Sequence, residues 1–152
     1  MAESIFSGYK ETPQTALNTQ LNSLADNGWS ALSAPINNSV VRYQLMDIEV
    51  NLGSVAFTGP DSAIDIYLVP SLDDTNYPTY VETGAADEQE NNQYYIGSVV
   101  LSGATGAQRH VLRYVACTTG FFKIGIRNRG NVGLAATGNT VTYRRYGYAS
   151  DV

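Results

Sequence analysis

Ala63-Ile64-Asp65-Ile66-Tyr67-Leu68-Val69 alternates without a break: Ile64, Ile66 and Leu68 fall on one side, Asp65 and Tyr67 on the other. Successive side chains of a β-strand point to opposite faces, so a period of two predicts a strand with one face in a core. Thr58-Gly59-Pro60-Asp61 precedes it with turn chemistry, and Pro70 follows it.

The same alternation of strand and turn extends in both directions. Upstream, residues 28–36 make a short strand ended by Asn37-Asn38, and residues 40–52 make the longest candidate. That stretch changes parity: Val41, Tyr43 and Leu45 share one face, then Met46, Ile48, Val50 and Leu52 the other. A flip of this kind predicts a bulge or a strand crossing between environments. Downstream come residues 94–101, a Gly-rich turn at 102–106, then 109–117, apolar on both faces. Thr119-Gly120 turns into 121–127, and a Gly-rich link at 130–138 leads to a last strand at 140–148. Seven to nine short strands without a long helix predict an all-β fold, an antiparallel β-sandwich. Strands apolar on both faces suggest a sheet whose second side is covered by a partner.

Residues 1–25 break the pattern. They are rich in Thr, Gln, Asn and Ser, and only Leu17, Leu21 and Leu24 have helical spacing, enough for a short amphipathic turn. The expectation is an extended arm with a reach of about 85 Å, ordered against another subunit, followed by a sandwich domain over 26–152. Phe6 and Tyr9 are its candidate contacts.

Composition narrows the function. Charged residues make up 15% of the chain, against ~25% in average domains, while 11 tyrosines and 14 glycines suit strands and tight turns. A polar surface low in charge and rich in Tyr and Asn fits one covered by another protein. The net charge of −5 is unevenly placed: residues 1–108 carry 13 acidic and two basic side chains, residues 109–152 seven basic and one acidic. Arg109, Arg113, Lys123, Arg127 and Arg129 are therefore a candidate subunit or partner interface; pairing with acids of the first part is the alternative. A pI near 4.6 argues against nucleic acid. No apolar run is long enough for a spanning helix, and the N-terminus lacks a basic region followed by an apolar run, so synthesis in a cytoplasm without export is expected.

Catalytic sets are incomplete. His110 is the single histidine, and no Gly-x-Ser-x-Gly elbow accompanies it. Asp73, Asp74, Asp87, Glu88 and Glu90 lie in a long polar segment at 70–93, within which 79–81 can pair briefly. Those acids fit a solvated loop, a calcium site without the usual spacing, or a carboxylate pair. Cys117 alone makes neither a disulfide nor a metal cluster; a small buried hydrophobe is expected. No cofactor or metal is expected. Tyr77, Tyr80, Tyr94 and Tyr95 are either loop-packing aromatics or a sugar platform, with Tyr77 and Tyr80 the candidate loop contacts.

Three segments carry a resemblance: Ile66-Tyr67-Leu68-Val69-Pro70-Ser71-Leu72-Asp73-Asp74-Thr75-Asn76-Tyr77, Gly106-Ala107-Gln108-Arg109-His110-Val111-Leu112-Arg113 and Gly138-Asn139-Thr140-Val141-Thr142-Tyr143-Arg144-Arg145-Tyr146. With Leu21-Asn22-Ser23-Leu24-Ala25-Asp26, the chain resembles small virion proteins of tailed bacteriophages, the jelly-roll capsid decoration or cement proteins. In that group the first motif usually has Asp-Gly at Asp73-Asp74. The resemblance implies a jelly-roll sandwich, a homotrimer at capsid three-fold positions, the major capsid protein as partner and no catalytic residue. A tail-associated receptor- or carbohydrate-binding protein is the alternative, although no repeat or coiled-coil stem is present.

Overall fold

The computed structural model describes residues 10–82 and 91–147. Among them are β1 (Gln14–Leu17), β2 (Ile36–Asn37), β3 (Leu45–Leu52), β4 (Ala63–Ser71), β5 (Tyr95–Val100), β6 (Gln108–Ala116), β7 (Phe121–Arg129) and β8 (Thr140–Tyr146). They pair antiparallel as nested hairpins, β1 with β8, β2 with β7, β3 with β6 and β4 with β5. Rolling that ribbon up adds the pairs β3–β8 and β4–β7. The result is sheet A, ordered β1-β8-β3-β6, and sheet B, ordered β2-β7-β4-β5. This is a jelly-roll sandwich, as expected.

The core lies between the sheets. Met46, Ile48, Val50 and Leu52 of β3 face Ile64, Ile66 and Leu68 of β4, with Phe122, Ile124, Ile126 and Val141 from their neighbours. Burying each such side chain is worth roughly 1.5–3 kcal/mol.

Strand β4 is buried on both faces, Asp65, Tyr67 and Val69 included. The cover over Tyr67 comes from the chain itself. Trp29 and Tyr80 pack on Tyr67 at ring distances of 4.7 and 6.4 Å, and Tyr95 reaches it at 5.8 Å. Gly125 of β7 lies beneath the Tyr80 hydroxyl and Leu32, close enough that a Cβ there would clash.

Residues 28–36 were expected to form a strand, but Trp29 contributes only an isolated bridge to Arg127. Its neighbours still satisfy the edge of β7. The Gly28 carbonyl takes the Asn128 N–H, and the Ser30 and Ser33 hydroxyls take those of Ile126 and Ile124. Serine oxygens stand in for a strand's carbonyls, and Pro35 delays regular pairing until β2.

The parity change at 40–52 is a strand start. Residues 38–43 form a loop bracketed by the Asn38 side chain, which accepts from the Tyr43 N–H and donates to the Tyr43 and Thr118 carbonyls. Arg42 there has φ +55°. The bulge sits across the ladder instead: Asp47 faces both Arg113 and Tyr114, because Met46 pairs with Val115 and Ile48 with Leu112. Tyr114 takes φ +59°, and its N–H donates to the Asp47 carboxylate at 3.2 Å.

The expected arm over 1–25 needs correction within its described part. Gln14–Leu17 is a strand of sheet A, Thr19–Leu21 a 3-10 turn, and Leu17 and Leu21 are fully buried. Two leucines separated by a polar turn carry little periodic signal, yet both reach the core. Phe6 and Tyr9 lie outside the described residues.

Candidate functional site

The five clustered basic residues separate in space. Arg109 and Arg113 alternate outward on β6, on the exposed side of sheet A, whereas Lys123, Arg127 and Arg129 alternate outward on β7 in sheet B. No single basic patch results, because the turn at 117–120 carries the chain from one sheet to the other.

Most of these charges have partners within the chain. Arg109 Nε donates to Glu49 at 2.7 Å and Arg129 Nε meets Asp65 at 2.8 Å. Lys123 sits over the Tyr77 ring at 4.1 Å; Arg127 lies over Trp29 at 5.2 Å and donates to Asn27. Arg113 has no ion-pair partner among the described residues. Burial pushes the Glu49 carboxyl up, but Asn51 and Arg109 donate to it and hold it below its ordinary value.

Sheet A presents the open face. A shallow depression of about 280 Å³ runs over Asp47, Glu49, Arg109, Val111, Arg113 and Arg144. Arg144 approaches Asp47 at 3.8 Å, and the Tyr146 hydroxyl donates to Asp47 at 3.1 Å. Strand β6 was expected to be apolar on both faces. It is instead an edge strand whose outward residues Arg109, Val111 and Arg113 are exposed, as is Tyr114 on the bulge.

The tyrosines divide in the same way. Tyr80 is half-buried against Trp29 at 5.9 Å, and burial raises its hydroxyl far above the ordinary phenol value. Burial and Asp65 push Tyr67 up to about 12. Tyr77 donates its hydroxyl to Asp74 at 2.7 Å. These rings pack the loops onto sheet B rather than standing clear as a platform. The brief pairing at 79–81 takes an unusual form: Asn91 donates to the Val81 carbonyl and accepts its N–H, so one amide replaces a strand partner.

His110 opposes Val50 on the inward side of β6, and its Nε2 lies 3.0 Å from Gln108 Oε1. Cys117 is partly buried against the core, and burial raises its thiol to about 12. Among the described residues no three His, Cys, Asp or Glu side chains converge as metal ligands. Asp87, Glu88 and Glu90 lie outside the described residues. No described helix is long and apolar enough to cross a membrane.

The Tyr114 bulge and the inward Arg145 were missed from sequence. The first has no composition signal, and the second sits in a run, Tyr143-Arg144-Arg145-Tyr146, whose two arginines look alike. No protein-family model and no curated protein matches the chain.

Proposed function

We propose that this chain is a virion protein of a tailed bacteriophage that binds the outside of the head shell as a homotrimer and cements it. The observation that carries the reading is the contrast between its two sheets. Sheet B is covered by the chain's own loops, while sheet A keeps an open polar face beside the exposed Val111, Arg113 and Tyr114. Jelly rolls serve in virus coats but also in lectins, so the fold alone does not choose. The three segments that resemble decoration proteins form β4 with its following turn, β6 and β8, and two of these strands build sheet A. Weak contacts repeated around a three-fold axis bind tightly through avidity.

The test adds purified protein to undecorated capsids and measures occupancy by co-sedimentation, then shell survival on heating. Saturable binding with raised heat resistance is expected. Absence of shell binding, together with specific binding to host surfaces or glycans, moves the assignment to receptor recognition.

A further inference from the structure

We propose that a second copy of this chain docks its turn at residues 72–74 on the β6 bulge of its neighbour, and that this contact between unlike surfaces closes the ring. The inference rests on the trimer in the reading above and names the surfaces that build it.

The inserting turn is apolar, acidic and rigid. Leu72 is 92% exposed, the most of any large hydrophobic residue described. Asp73 spends its carboxylate inside the turn, accepting the N–H groups of Thr75 at 3.0 Å and Asn76 at 2.8 Å. Asp74, at φ +60°, is exposed and accepts the Tyr77 hydroxyl on one oxygen. A turn held in this way loses little conformational freedom on docking.

The receiving patch is apolar and basic. The bulge displays Tyr114 at 70% exposure beside Val111 and Arg113. Its neighbours Arg109 and Arg144 are occupied by Glu49 and Asp47, which leaves the Arg113 guanidinium as the spare charge. A guanidinium fork suits a carboxylate, and arginine and tyrosine are favoured interface residues.

Charge and apolar character therefore match between two different places on one molecule. A contact between unlike patches forms a ring when it runs head to tail and the rotation between copies closes. Both patches lie toward one end of the sandwich: Ser71 pairs with Phe121, and only residues 117–120 separate Phe121 from the end of β6. The Lys123–Tyr77 contact folds the turn toward the outer side of sheet B, away from sheet A.

The test reads the mass of free protein, without shells, by light scattering and sedimentation velocity. The wild type is expected at three times 16.4 kDa. Asp74→Arg and Arg113→Glu, each folded by circular dichroism, should give monomers, and their combination in one chain should restore the ring. Leu72→Ser should weaken association at least tenfold. A monomeric wild type, single swaps that keep its mass, or a double swap that stays monomeric would overturn the contact. An intact ring that ignores capsids would sink the shell reading alone.

Discussion

Arg145 and Glu11, 134 positions apart, form a two-point ion pair in which Nε and Nη2 donate to the two carboxylate oxygens at 2.8 and 2.7 Å. The remaining Nη1 donates to the Asn37 carbonyl, and the guanidinium lies over the rings of Tyr43 and Tyr143. One inward side chain thus ties the segment before β1 to the end of β2 and to β8. Glu11 also raises the arginine's proton affinity.

Arg145→Met should therefore cost about 3 kcal/mol, since it leaves a half-buried carboxylate without its cation. Glu11→Gln should cost less, and the double variant should fall short of the sum. Urea unfolding of the four proteins measures the coupling. Additive losses would show that the pair does not act as a unit.

Leu17 and Leu21 carry the N-terminal segment into the core. Leu17→Ala should cost ~2–5 kcal/mol, and deletion of residues 1–25 should abolish cooperative thermal unfolding. A truncated chain that still melts in one sharp transition would return these residues to the status of an arm.

Asn128 is a buried hub. Its amide donates to the carbonyls of Leu24, Ala25 and Val132, and its oxygen accepts the Gly130 N–H. Asn128→Asp keeps the shape but turns donors into lone pairs facing three carbonyls. It should destabilise more than Asn128→Ala, which itself should cost ~1–3 kcal/mol. The melting temperature of the aspartate variant should partly recover as pH falls toward 4, because a protonated carboxyl can donate again. Equal melting of both variants at every pH would contradict this.

Asp73 gives the fold a pH dependence. The Asn76 backbone N–H, the Asn76 amide and the Thr75 N–H all donate to its carboxylate and hold it well below the ordinary 3.8. A carboxyl depressed in the folded state contributes stability that is fully present above its unfolded value and is lost as pH falls through the folded one. Urea midpoints should therefore drop from about pH 4 downward, and Asp73→Asn should flatten that drop. An identical profile in the variant would remove Asp73 from the account.

Much of the fold is legible in the chain because period-two alternation at 63–69 and 121–127, with turn residues between strands, leaves little choice but antiparallel sheets. The limits of β5 follow to within one residue at each end, and β7 starts where expected but runs two residues further, to Arg129. Burial of the second face of β4 is not legible, because Asp65 and Tyr67 read as its outward side: Trp29 and Tyr80 lie 38 and 13 positions from Tyr67, and only packing brings their rings over it. The candidate site was less legible. Arg109 and Arg129 meet Glu49 and Asp65 diagonally across their ladders, not the residues directly opposite, Asn51 and Ala63. The choice of acid therefore depends on register, which for Arg109 is set beside the bulge at Arg113 and Tyr114.

Alternation, turn chemistry and the uneven placement of acids and bases are local properties, and they alone determined an all-β chain with an acidic first part and basic closing strands. Tertiary structure decided which strands became edges, which sheet stayed open, and that Arg145 points inward while Arg144 points out. Those outcomes turn on long-range pairing: a one-residue bulge on β6 re-aims Arg113 and Tyr114, and β1 reaches its place only when Leu17 finds the core.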